Sequence, residues 1–351
     1  MQENPATWSV CGSGVASKPT AALRFAGEDS RSIRLRQFIL ILAVLMGMCV
    51  PGMAQAQYLD SSRGAGMGAV RGDPVGSSAV IYNPAGLSRA LFYSAEAQYF
   101  RAQQERVNVA GITIVDSRTQ PQLAVGVAYG YQFSDKSAEI QHNGQDVKLA
   151  LAHAVIPERF HVGFGFRYVA VNRTYGDLED ADDMEMANMT EDLRPNLEAL
   201  EGFTVDAGLL FSPSRSFHIG VVGHNLVDVE SDALPVQAGG GIAYTGNPVV
   251  LALDGLADFS RHPDGVKPVL AGGLEVLLGR LVPFRLGYKF DGVGTCDEAT
   301  NQCEANHWVS GGIGFMSAPR GGKSNQLTIS YKHNITEPTE INVGLGLIFF
   351  L

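Results

Sequence analysis

Leu123-Ala124-Val125-Gly126-Val127-Ala128-Tyr129-Gly130-Tyr131-Gln132-Phe133 places an apolar or aromatic residue at every odd position and a small or polar one at every even position. A helix would group its apolar residues three and four apart, so this period of two reads as a strand with unlike faces. The pattern recurs. Phe160, Val162, Phe164, Phe166 and Tyr168 alternate with His161, Gly163, Gly165 and Arg167; Phe203, Val205, Ala207, Leu209 and Phe211 alternate with Thr204, Asp206 and Gly208. Phe284, Leu286, Tyr288 and Phe290 alternate with Arg285, Gly287 and Lys289, and Leu327, Ile329 and Tyr331 with Thr328, Ser330 and Lys332.

Working outward from these runs, about fourteen strand-sized segments fill residues 91–351: 91–102, 105–116, 121–132, 146–155, 159–171, 202–212, 216–225, 234–244, 248–258, 268–278, 281–291, 306–318, 323–333 and 340–351. Connections after even-numbered segments are tight, as at Pro157, Pro213-Ser214-Arg215, Thr245-Gly246-Asn247 and Gly279-Arg280. Those after odd-numbered segments run longer (133–145, 172–201, 226–233, 259–267, 292–305 and 334–339), except at Gln103-Gln104. A soluble sandwich has no reason to sort its loops by parity. An outer-membrane barrel does, with short periplasmic turns, long outer loops and an even strand count. The expected fold is therefore an all-β, transmembrane antiparallel barrel in the outer membrane of a Gram-negative cell. Apolar residues face lipid, and the small and charged set faces the lumen.

Arg31, Arg34 and Arg36, the apolar run Phe38–Val50 and Ala54-Gln55-Ala56 describe a secretory signal over 31–56, with cleavage expected after Ala56. Residues 1–30 are polar and unpatterned, and are expected to come from an over-extended start site. Cys49 follows Met48, too large for a lipoprotein cleavage pattern. Cys296 and Cys303 remain in the exported part. An oxidising compartment and an even count favour a local disulfide over free thiols, or over a metal site that would have only His307 nearby. Net charge is −10, and ten carboxylates against one arginine lie between Asp177 and Glu201. Without the glycine turn and twelfth-position glutamate of a calcium loop, this stretch reads as a solvated outer loop.

The sequence carries no catalytic constellation: there is no Gly-x-Ser-x-Gly elbow and no His-Glu-x-x-His pair. His307 and Ser310, three apart on a strand, point to opposite faces; His218 and His224 share the lumen face and read as satisfied lumen groups. No cofactor or metal is expected, and the acidic balance without a basic stripe excludes nucleic-acid binding. Arg167, Asp206, Asp254, Glu275, Arg285, Lys289 and Lys332 read as lumen-facing charges. Their reading is a polar network holding a plug, with Arg167, Arg285 and Lys289 as candidate partners for a substrate carboxylate.

Residues 57–90 differ from all that follows: Arg63-Gly64-Ala65-Gly66-Met67-Gly68-Ala69, Asp73-Pro74, then Ser78-Ala79-Val80-Ile81-Tyr82-Asn83-Pro84-Ala85-Gly86-Leu87. No strand precedes these glycines and no Lys-Ser/Thr follows, so a nucleotide loop is excluded and a compact plug preferred. The stretch resembles the N-terminal motif of FadL-type outer-membrane proteins. That group includes long-chain fatty-acid and aromatic-hydrocarbon transporters and PorV/PorQ-like proteins associated with type IX secretion. The resemblance implies a hatch at 57–90 inside a barrel over 91–351, with Asp73, Asn83, Pro84, Ala85 and Gly86 in the hatch. Lumen glycines Gly126, Gly130, Gly163, Gly165, Gly344 and Gly346 would leave it room. It implies hatch-gated passive uptake of hydrophobic small molecules, fatty acids by default; the alternative is a secretion or surface-assembly platform. Expected partners are outer-membrane lipid, a hydrophobic ligand, the barrel assembly machinery and, for the platform, secretion-system proteins. Gly346, Phe349 and Leu351 resemble the C-terminal insertion signal of such barrels, although the last residue there is usually aromatic.

Overall fold

The computed structural model describes residues 59–120, 122–138, 140–175, 200–229, 234–262, 265–279, 281–297, 302–317 and 324–351. The leader, the signal segment and most of the acidic loop lie outside them. Fourteen strands occur among the described residues: β1 Tyr93–Ala102, β2 Val107–Asp116, β3 Leu123–Ser134, β4 Ile140–Ile156, β5 Phe160–Tyr175, β6 Leu200–Phe211 and β7 Phe217–His224. They continue as β8 Gln237–Thr245, β9 Val249–Asp258, β10 Lys267–Leu278, β11 Val282–Asp297, β12 Gln302–Met316, β13 Ser324–Asn334 and β14 Ile341–Phe350. Each pairs antiparallel with its sequence neighbours, and β1 pairs with β14 from Ser94↔Phe350 to Ala102↔Asn342, closing the barrel. Closure removes the sheet edges, so every strand finds backbone partners without water.

The alternation that wrote the strands also sorts their faces. On β3, Leu123 is 48 % exposed and Ala124 not at all, and Val127, Tyr129, Tyr131 and Phe133 follow Leu123 outward. Phe164, Phe203, Leu209, Leu253, Leu286 and Leu345 share that apolar wall, whereas Thr113, Arg167, Asp206, Asp254, Arg285 and Thr328 are buried inside. His307 and Ser310 split as expected. Tyr288 Oη lies 2.6 Å from His307 Nδ1 on the wall, and Ser310 Oγ donates to the Gly66 carbonyl in the lumen at 3.2 Å. A closed barrel with an apolar exterior is the outer-membrane architecture.

Two loops contract. Residues 133–145 and 292–305 were expected as connections, but β4 already begins at Ile140, and β11 and β12 reach Asp297 and Gln302. Beyond the lipid belt both faces of a hairpin meet water. The backbone ladder continues there while the hydrophobic alternation that reveals it stops.

Candidate functional site

Short helices fill the lumen ahead of β1. Ser61 caps α1 (Ser62–Met67) by accepting the Gly64 amide at 2.9 Å, and α2 spans Ser77–Tyr82. Asn83 caps the 3-10 turn Pro84–Arg89 through its Oδ1, which accepts the Ala85 amide at 3.2 Å. Hydroxyl and amide side chains at such positions satisfy helical N–H groups that would otherwise be orphaned. Asp73 clasps this plug from within. It pairs with Arg63 at 2.8 Å and with Arg89, and Gly86 packs on Pro74.

Wall side chains reach inward to hold the plug from several sides. Glu96 on β1 accepts the Ser62 amide at 3.0 Å and the Ser77 hydroxyl. Asp254 on β9 accepts the Val70 amide at 2.8 Å and the Arg71 amide at 2.9 Å. Lys148 on β4 donates to the Ile81 carbonyl at 3.2 Å, His161 on β5 bonds Ser88 at 2.8 Å, and Lys332 on β13 pairs with Asp60 at 2.8 Å. His218 bonds Arg89 at 2.7 Å. Buried polar groups matched in this way lose little on leaving water.

Lumen glycines make the fit. Gly126 lies under Val80 and Leu87, Gly130 under Leu59, Gly163 under Pro84-Ala85 and Gly346 under Ser62. Gly165 and Gly344 face wall side chains instead, namely Asp206, and Phe100 with Ser330. Gly287, on which the Met67 carbonyl rests, and Gly208, which receives Asn83, also make room, although alternation gives only the face they take.

Two cavities among the described residues share no lining residue. The inner one, about 500 Å³, opens among the β8–β9 turn, Pro283, Arg285, Glu275 and Gln326. The outer one, about 220 Å³, lies between the plug residues Gly68, Arg71 and Tyr82 and the walls of β8–β14. Its cations are Arg71, Arg261, Lys289 and Lys332; its apolar side is Tyr82, Trp308, Leu256 and Val269.

The three candidate carboxylate partners are not brought together. Arg167 is paired with Asp146 by two bonds of 2.9 and 2.7 Å on the β4–β5 side. Arg285 bonds Glu275 at 2.6 Å and faces the inner cavity. Lys289 bonds Asp291 at 2.9 Å and faces the outer one. Arg285 and Lys289 are four residues apart along β11, about 13 Å, with Gly287 and the plug between them. Arg71 and Trp308 were not singled out from sequence; Arg71, a lone cation beside Gly72, was the available signal.

One seam of the wall differs from the rest. β7 is eight residues long and pairs with β6 only from Ala207↔Gly223 to Phe211↔Ile219. Beyond it Asn225 turns at φ 51°, and the outer half of β6 meets an irregular segment. There Leu226 N donates to Val205 O at 2.8 Å, Thr204 Oγ1 to Val227 O at 2.9 Å, and Asn225 N to Asp206 Oδ1 at 2.9 Å. Leu226 and Val227 are exposed. Below this seam Asn83 Nδ2 donates to the Leu209 carbonyl of β6 at 3.3 Å.

No protein-family model and no curated sequence matches this chain. Solved structures do match. The CymD monoaromatic hydrocarbon channel superposes with a TM-score of 0.54 at 12 % identity, over 82 % of this chain and 96 % of that one. A Pseudomonas aeruginosa FadL homologue gives 0.51 at 10 % identity, over 87 % and 98 %. The Pseudomonas putida toluene transporter TodX gives 0.51 at 10 %, over 86 % and 98 %. The fold is that of the FadL-type outer-membrane channels.

Proposed function

We propose that this chain is an outer-membrane channel for hydrophobic small molecules and that residues 59–90 act as its hatch. The observation that carries this reading is the lumen divided by a polar-bonded plug, with a cavity on either side. A solute entering the outer cavity meets Asp254-bound backbone and the Asp73 clasp, so it passes only if the plug shifts or the wall parts. The seam above β7 supports the second route. Three described hydrogen bonds close it, and its outer surface is apolar. Asp206 joins hatch to seam, since its Oδ2 lies 3.3 Å from Lys148 Nζ and its Oδ1 accepts the Asn225 amide. Movement of Ile81 with Lys148 would therefore reach Asn225 through one carboxylate.

Fatty acids are one class this reading admits, with the acyl chain extending beyond the outer cavity. The test is uptake by a Gram-negative host whose own hydrophobe channels are deleted, complemented with the full chain and given labelled palmitate or toluene. Faster entry than with empty vector, abolished when the protein is absent from the outer membrane, supports the channel. Entry unchanged despite a folded, inserted barrel refutes it. Co-purification with surface proteins would then favour the assembly-platform reading.

A further inference from the structure

We propose that the outer cavity is a binding site for a small ring-sized carboxylate, benzoate being the simplest probe. The proposal rests on the channel reading, because it assigns the ligand caught on the way in.

Size comes first. An apolar cavity of about 150 Å³ accepts benzene, so about 220 Å³ holds one ring and a carboxylate but not a long acyl chain. Chemistry then divides the wall. Tyr82 and Trp308 are its aromatic lining residues, and Leu256 with Val269 completes an apolar side. Four cations line the same space against a single carboxylate, Asp254. That carboxylate is already engaged with the Val70 and Arg71 amides. The other acidic partners of these cations, Asp60, Asp258 and Asp291, are not among the lining residues.

The cations keep donors in reserve. An ammonium has three N–H groups, and the described hydrogen bonds use one on Lys289, to Asp291, and one on Lys332, to Asp60. Their side chains are 38 % and 30 % exposed although both sit in the lumen. Arg71, stacked over Tyr82 at 5.0 Å, keeps its buried Nε without a partner among the described residues. The register sets the lysines on one wall. Lys289 pairs with Trp308 across β11–β12, and Lys332 with Ser310 across β12–β13. A carboxylate between the two ammonium groups would leave its ring against Trp308 and Tyr82. A neutral hydrocarbon would fill the apolar side and leave those donors unmatched, so the site discriminates by charge.

Trp308 reports the test directly. The chain has two tryptophans, Trp8 and Trp308, so a Trp8→Phe background leaves one emitter. The detergent-purified full barrel is titrated with benzoate, toluene and palmitate while tryptophan emission is followed. Saturable quenching by benzoate is expected, weakened at least about tenfold by Lys289→Met and largely kept by Lys332→Arg. Heat-modifiable gel mobility checks that each variant remains a barrel. Equal response to toluene and benzoate, unchanged benzoate affinity in folded Lys289→Met, or quenching by palmitate alone would overturn the proposal. Failure of benzoate to bind while toluene uptake persists in cells removes this site and leaves the channel standing. Benzoate binding with no uptake of any hydrophobe supports the site and removes the channel.

Discussion

Replacing Asp206 by alanine should loosen the seam and the plug by separable amounts. The Oδ1 of this carboxylate accepts the Asn225 amide at 2.9 Å, at the point where β7 ends and the chain turns away. A hydrogen bond to a charged acceptor contributes about 1.5–3 kcal/mol, so opening of residues 225–229 should become about 10- to 150-fold more frequent. The Leu226 amide, bonded to Val205 O at 2.8 Å, reads that opening by hydrogen exchange. The other oxygen holds Lys148 at 3.3 Å, and Lys148 is only 11 % exposed. Stripping one partner from a buried pair costs about 3–5 kcal/mol, which should appear as a lower temperature for the heat-modifiable gel shift. Asp206→Ala with Lys148→Met removes the stranded cation, so it should recover much of the thermal loss while Leu226 still exchanges fast. The Val70 amide, held by Asp254, should keep its protection throughout. Unchanged exchange at Leu226, or equal acceleration at Leu226 and Val70, would refute the latch: the first removes the coupling, and the second makes the effect a general loosening.

Gly287→Ala places a methyl against the Met67 carbonyl and should displace α1, seen as raised spontaneous conductance in planar bilayers; silent currents would mean that the wall, not the plug, yields. Cys296 and Cys303 are direct register partners across β11–β12, so we expect them to be bonded in protein taken from the outer membrane. Mass spectrometry without reductant should then find the two peptides joined and lighter by two hydrogens; free thiols in both would sink this assignment. Burial and the neighbouring Glu337 raise the Glu340 carboxyl to about 7, although Asn334 hydrogen bonds to it. An acid whose folded pKa is raised costs stability once ionised, so the 334–340 turn should be firmest below pH 4.5, the unfolded value, and loosen as pH rises through 7. Exchange of the Asn334 amide, bonded to Glu340 O at 3.0 Å, should accelerate over that range, and Glu340→Gln should flatten the response.

How far the sequence could be read follows from what each force leaves in it. A wall between lipid and a packed lumen imposes a face on every residue, and that is why β3, β5 and β6 were legible to within a few residues. The signal ends where lipid ends, so the outer extension of β4 was invisible although its hydrogen bonding is regular. The plug announced its compactness through glycine and serine, and its lack of a preceding strand excluded a phosphate loop. Its partners could not be read. Alternation tells which face a residue takes but not its depth, and depth depends on strand tilt and shear around the closed sheet. Arg167, Arg285 and Lys289 all lie inside, but the barrel sets Arg167 on β5 and the other two about 13 Å apart along β11, each with its own carboxylate. Arg71 escaped notice for the converse reason: its role comes from Asp254, 183 residues away.

The polarity of the lumen bears on the route proposed for the cargo. Glu275, Arg285 and Gln326 line the inner cavity beside Val250, Leu277 and Met316, and four cations line the outer one, so a hydrophobic solute moving straight through meets charged side chains on both sides of the plug. Apolar surface returned to a polar setting loses about 25 cal/mol per Å². The seam over β7 leads instead to the exposed apolar side chains of Leu226 and Val227 and then to lipid, where that surface stays covered. A channel built this way should pass hydrophobes sideways more readily than through the lumen. Cross-linking Thr204→Cys to Val227→Cys across the seam should therefore block uptake with the plug untouched, and uptake that survives the cross-link would place the path through the plug.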